Sequence, residues 1–113
     1  MKFTVTISET AEFDIFDIFD IFDIHDYVAF HDTLESADRL LDGIVQAVFS
    51  LMQIPQRGHC PPELDRIGNR DFREIHFKPY RIVYSIRENE VIVHCVLDGR
   101  RDMQTLLQQR LLR

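Results

Sequence analysis

Basic side chains are nearly missing from the first 54 residues: Lys2 and Arg39 stand against eleven Asp and Glu, a balance of −9. Residues 55–113 carry eleven Lys and Arg against eight carboxylates, a balance of +3, so the net charge of −6 hides two halves of opposite sign. Overall acidity repels phosphates and disfavours nucleic-acid binding by the whole chain. The asymmetry predicts two faces with different partners. Cysteine is scarce as well. Cys60 and Cys95 share no metal-type or redox-type spacing, which predicts two incidental thiols in a reducing, cytoplasmic setting. Apolar runs are short. None approaches the ~18 residues of a membrane span, and "MKFTVTISET" has no apolar core or cleavage site of a signal peptide.

What is present suits a packed core. The hydrophobic fraction is 45%, with nine Phe among 113 residues, and one domain over 1–113 is expected. "KFTVTI" (2–7) alternates as a half-buried strand. Ser8 offers an N-cap, with Glu9 and Glu12 near the positive end of a helix dipole, for a helix to about Phe30. Asp32 and Glu35 have capping-box spacing and are expected to start a second helix, whose apolar Leu34, Ala37, Leu41, Ile44, Val48 and Leu51 form one stripe. Pro55, Gly58, Pro61 and Pro62 mark an irregular loop over 54–69. Strands are expected at 70–77, 80–86 and 90–97, with a tight turn at Glu88-Asn89 in which Asn89 is left-handed. Residues 100–112 place Met103, Leu106, Leu107 and Leu111 on one face of a final helix. The order is β-α-α-β-β-β-α, an α+β fold: an N-terminal strand, an antiparallel helical hairpin on a mostly antiparallel sheet, and a short C-terminal helix.

The segment "DIFDIFDIFDIHD" (14–26) repeats with a period of three. On an α-helix each such step lags a full turn by about 60°, so the aspartates spiral and no single carboxylate face forms. A metal site needs converging ligands; Asp20, Asp23, His25 and Asp26 are the best local group, and neither a metal nor another cofactor is expected. Negative charge also opposes docking on anionic lipid.

Three stretches read together resemble the RelE/ParE family of bacterial toxins, in its ParE-like branch: the hairpin with Ala11, Asp14, Ile15 and Ile18 and then "DYVAFHD", "LMQIPQRGHCPPEL" followed by "FREIHFKPYRIVYSI", and "VIVHCVLDGRRDMQTLLQQRLL". The resemblance implies a small toxin silenced by a cognate antitoxin, here ParD-like. ParE-like members poison DNA gyrase, and RelE-like members cut mRNA on the ribosome. Removing six residues of the repeat restores the family's usual spacing from Ala11 to Tyr27, so the repeat reads as a helix extension. Its surplus Phe and Ile then support self-association or antitoxin binding, through Phe16, Phe19, Phe22, Tyr27 and Phe30.

Metal-free RNA cleavage needs a group to activate the 2′-hydroxyl, a cation for the phosphorane and an acid for the leaving oxygen. Arg73, Arg81 and Arg101 are the candidate phosphate cluster for that alternative. The tail position where RNase relatives carry Tyr reads Leu106-Leu107, and the nearest acids, His76 and His94, lie on expected strands. No catalytic residue is therefore assigned in the leading reading. Arg100, Arg101 and Asp102 are the expected target contacts of a non-hydrolytic gyrase inhibitor, working as a homo-oligomer or a toxin–antitoxin hetero-oligomer away from any membrane. An inactive homologue that binds antitoxin or acts as a co-repressor is the third alternative.

Overall fold

The computed structural model describes the backbone of residues 2–25 and 30–112, and the side-chain surroundings of 2–18 and 38–112. The elements are β1 (Thr4–Ile7), α1 (Glu9–His25), α2 (Phe30–Ser50), a 3₁₀ turn (Pro55–Arg57), α3 (Pro62–Asp65), β2 (Arg73–Phe77), β3 (Tyr80–Arg87), β4 (Glu90–Asp98) and α4 (Met103–Leu111). The four strands form one sheet in the order β1-β4-β3-β2. β1 runs parallel to β4, and the other two pairings are antiparallel. This is the expected α+β fold. No helix of the described residues is long and apolar enough to cross a membrane.

Alternation in β1 sends Phe3, Val5 and Ile7 into the core beneath the hairpin, where Ala11 and Ile18 of α1 meet Ile44 and Val48 of α2 and Ile82, Tyr84, Val91 and Val93 of the sheet. The opposite sheet face carries a second core of Leu64, Val83, Cys95, Leu97, Met103 and Leu107. The apolar run "VIVHCVL" serves both. Val83 pairs with Cys95 and Tyr84 with Val93, which leaves His94 as the extra residue of a β-bulge. The bulge reverses the parity of β4. Val91 and Val93 face the hairpin before it, whereas Cys95 and Leu97 face α4 after it.

Several boundaries differ from expectation. Ser8 does cap α1, its Oγ accepting the Ala11 N–H at 3.1 Å. α2 begins at Phe30, so Asp32 falls within the helix instead of capping it, and the end of the first helix near Phe30 touches residues 26–29, outside the described ones. The loop over 54–69 contains the 3₁₀ turn and α3, the latter anchored by fully buried Leu64. β2 starts at Arg73, because the Asn69 Oδ1 accepts the Asp71 N–H and turns the chain before it. Glu88, not Asn89, takes the left-handed conformation, with φ 56°. Gly58 is required by close approach: a Cβ there would overlap the Tyr84 hydroxyl and the Glu74 carbonyl.

The repeat is read by the helix with its own period. Ala11, Asp14, Ile15 and Ile18 turn inward, while Phe13 and Phe16 stay 60% and 64% exposed. Asp14 is the one of these with a charge. Its Oδ2 accepts the Val96 N–H at 3.0 Å, and its carboxylate receives both Arg110 nitrogens at 3.1 and 2.8 Å. β1 pairs with β4 only as far as Val93, so beyond it the edge of β4 is open. α1 and α4 close that edge through Asp14, with Thr10 Oγ1 and Arg110 donating to the His94 carbonyl. Asp14→Ala is therefore expected to cost about 2–3 kcal/mol, since it removes charge-assisted bonds and strands a partly buried guanidinium. Exposed Asp17→Ala should stay within about 0.5 kcal/mol. Urea denaturation of the two variants checks the difference.

Candidate functional site

Arg81 projects from β3 onto the α3/α4 side of the sheet, the side of its neighbour Val83. Its terminal nitrogens grip both oxygens of Glu63 at 2.9 and 2.6 Å, and its Nε donates to Glu74 Oε1 at 2.6 Å. Arg81 is 12% exposed, Glu63 15% and Glu74 1%. The Arg81 hydrogen bond holds the Glu63 carboxyl below its ordinary value, against the opposing effect of burial. The guanidinium is held firmly charged in return, first by Glu63.

Arg73 lies across from Tyr84 in the register, whereas Arg81 lies across from His76. Paired residues share a sheet face, so Arg73 and Arg81 are on opposite faces. Arg73 donates to the carbonyls of Gln56 and Gly58, at 3.3 and 2.8 Å, and thereby holds the loop that Tyr84 also grips through Pro55. The structure does not bring Arg73, Arg81 and Arg101 together. The phosphate cluster expected from adjacent strands is not assembled, because register and pleat separate its members.

At the start of α4 three neighbours have three different surroundings. Asp102 caps the helix, accepting from the Thr105 N–H at 3.2 Å and the Thr105 hydroxyl at 2.8 Å. Arg100 folds back on Asp98 through Nε and a terminal nitrogen at 3.0 and 2.7 Å, and this hydrogen bonding holds the Asp98 carboxyl down at about 2. The Arg101 side chain makes no ion pair with a described residue. It stands at the mouth of a cavity of ≈220 Å³ lined also by Asp14, Asp17, Ile18, Tyr80 and Asp98. Burial, and then Asp98, pushes the Tyr80 hydroxyl up. The site that the geometry offers is thus a half-acidic cleft between α1 and the end of β4, lined also by one cation that makes no ion pair among the described residues.

The histidines are placed differently from one another. His94, the bulge residue, shares a 2.8 Å hydrogen bond with Ser85 Oγ and meets the Phe72 ring edge-on, and burial lowers its pKa. His76 and His59 both direct Nε2 at Glu74 Oε2, at 3.3 and 3.0 Å. His59, Glu63 and Arg110 were not singled out from the sequence, because each meets a partner 15 to 96 residues away: Glu74, Arg81 and Asp14 respectively. Of the residues expected on the antitoxin or self-association surface, Phe16 is exposed; the side chains of Phe19, Phe22, Tyr27 and Phe30 lie outside the described residues.

The framework that holds these groups is shared with known proteins. Residues 7–103 match the family model of the ParE toxin of the type II toxin–antitoxin system parDE. The fold is similar to a chain of the chromosomal ParDE system from P. aeruginosa, with a TM-score of 0.65 at 16% identity, covering 84% of this chain and 94% of that one. It is also similar to a chain of the toxin–antitoxin complex RelBE2 from Mycobacterium tuberculosis, with a TM-score of 0.60 at 20% identity, covering 87% and 92%. No curated protein matches the chain in sequence.

Removing the cation from the Arg81 network leaves two carboxylates in a low-dielectric setting, so Arg81→Met should cost about 3–5 kcal/mol at neutral pH. The acid response follows from Glu63. Its folded pKa lies below the unfolded value, so its contribution is complete above the ordinary carboxylate range and is lost as pH falls from that range through the lowered folded pKa. Urea denaturation at pH 7 and at pH 3.5 should show the deficit of Arg81→Met shrinking in acid.

Proposed function

We propose that this chain, which belongs to the family of ParE toxins of type II toxin–antitoxin systems, is a single toxin domain that inhibits DNA gyrase in the cytoplasm and is neutralised by a ParD-like antitoxin. The observation that carries the reading is the commitment of the arginines. Arg81 is held by Glu63 and Glu74, Arg110 by Asp14, and Arg73 by loop carbonyls. A metal-free RNase would need such cations free and converging beside an acid and a base. The tail position that would supply an aromatic acid is Leu106-Leu107, and both pack on the second core. A gyrase poison requires only binding. Arg101, with Arg100 and Asp102 at the exposed start of α4, supplies the charged contacts for it.

Antitoxin capture is assigned to the exposed face of α1, next to the cleft that Arg101 lines. Phe13 and Phe16 expose apolar area beside the carboxylates of α1, which suits an extended apolar and basic segment. Phe19, Phe22, Tyr27 and Phe30, whose side chains lie outside the described residues, belong to this proposal from the sequence alone, and the α1 area would equally serve a homo-oligomer or a toxin–antitoxin hetero-oligomer. The alternative RelE-like mRNA endonuclease is compatible with the likeness to RelBE2 and would draw on Arg73, Arg81 and Arg101; an inactive, antitoxin-binding homologue is the third outcome.

Purified protein added to gyrase with relaxed plasmid, and in parallel to a translating extract with mRNA readout, separates the three. Trapped cleavage complexes with intact mRNA are the expected result. Codon-phased mRNA cuts without trapped gyrase would overturn the reading in favour of the endonuclease, and silence in both assays in favour of the inactive homologue.

A further inference from the structure

We propose that His59, Glu74 and His76 form a Zn²⁺-binding site at the edge of the sheet, a site independent of the gyrase reading. Each of the three offers one ligand atom, and those atoms lie within 4.8 Å of one another. Glu74 Oε2 is 3.0 Å from His59 Nε2 and 3.3 Å from His76 Nε2. Zinc–nitrogen and zinc–oxygen bonds of ~2.0–2.2 Å in a tetrahedron put neighbouring ligand atoms ~3.3–3.5 Å apart, so both edges from Glu74 are close to the length required. His59 and His76 side chains are 61% and 44% exposed, which leaves their rings free to adjust the third edge.

The charge around Glu74 points the same way. Glu63 and Glu74 bring two negative charges to the one positive charge of Arg81, and Arg81 spends its two terminal nitrogens on Glu63. Glu74 is 1% exposed. Its Oε1 takes the Arg81 Nε, and its Oε2 turns to the two imidazoles with no cation among the described residues assigned to it. A divalent ion there would neutralise the surplus charge, which is costly to leave in a buried carboxylate. Arg81 would then be the partner that orients a ligating carboxylate, a role metal sites regularly fill.

The donor set, two imidazoles and one carboxylate, favours zinc among the common divalent metals over magnesium or calcium, which take oxygen shells. Cys60, next to His59, is not among the converging donors; its thiol donates toward the Asn69 carbonyl at 3.5 Å. The fourth position opens into a surface cavity of ≈300 Å³ that Arg57 also lines, an arrangement that suits water or an anionic donor. His59 and Glu74 already exchange backbone hydrogen bonds at 3.1 and 2.7 Å, so bound zinc would pin the loop over 55–61 to the free edge of β2.

The test uses the full chain, stripped of metal with a chelator and titrated with Zn²⁺ by calorimetry and by melting temperature. The expected result is one Zn²⁺ per chain with a rise in melting temperature. His59→Gln and His76→Gln are each expected to weaken binding by more than the ~10–100-fold typical of changes to outer-shell partners. The double variant, whose altered side chains are exposed, should fold as the parent does and lose the thermal response. Binding of equal strength in the double variant would put the metal elsewhere, for instance at His25 and its neighbouring aspartates, and overturn the proposal. Absence of binding in the parent chain would overturn it as well.

Discussion

A single carboxylate, Asp14, joins three parts of the molecule that the chain separates widely. It takes a backbone N–H from β4 and a bidentate guanidinium from α4 while standing on α1. The need for it arises from topology. β1 is four residues long and pairs with only the first part of β4, so the rest of that strand would present unpaired backbone at a sheet edge. Placing α1 across the gap solves this, and the bulge at His94 turns the strand so that one face meets the hairpin and the other meets α4. The two hydrophobic cores, the seat of α4 and the cleft beside Arg101 all follow from that arrangement.

The same logic of pairing runs through the basic half of the chain. A count of charges suggests a cationic surface, yet Arg110, Arg81, Arg100 and Arg73 are each engaged by groups of the fold itself. Their value differs with burial. The Arg100–Asp98 pair is solvent-exposed on the arginine side and contributes little, whereas the Arg81 network is enclosed and severe to break. The surface open to recognition includes Arg101 beside an acidic cleft and the exposed Phe13 and Phe16 on the first helix. An acidic apolar surface on α1, with Arg101 lining the cleft beside it, fits a member of a toxin–antitoxin family.

Most of the fold was legible because its signals are local. Alternation marked β1 and the stripe from Ile44 to Leu51 marked α2, whereas the capping role of Asp102 on α4 was not read from the sequence. The apolar run of β4 was recognisable as interior but not its cause, since a bulge is a feature of register and leaves no composition signal. α3 was missed because a four-residue segment opening on Pro62 carries no periodicity; its place depends on Leu64 filling the second core and Glu63 meeting Arg81. The repeat misled in a useful way. Its three-residue period hides the fact that a helix of 3.6 residues per turn buries Asp14 and exposes Asp17. For the arginines singled out from the sequence, local spacing does not show the anchoring: Arg81 is gripped by Glu63, 18 residues away, and Arg73 by the Gly58 carbonyl, 15 away. The His59–Glu74–His76 grouping spans a loop and a strand, and no spacing rule would have joined it.

The account's central claim is that Arg101 meets the target while Arg73 belongs to the framework. The most direct measurement is the yield of trapped gyrase–DNA cleavage complexes for Arg101→Ala and Arg73→Ala, each normalised to the folded fraction from its own melting curve. The account predicts that Arg101→Ala keeps its stability to within about 0.5 kcal/mol and loses most of the yield, whereas Arg73→Ala loses stability and keeps the yield per folded molecule. Full yield from Arg101→Ala, with loss of yield from a stably folded Arg73→Ala, would contradict it.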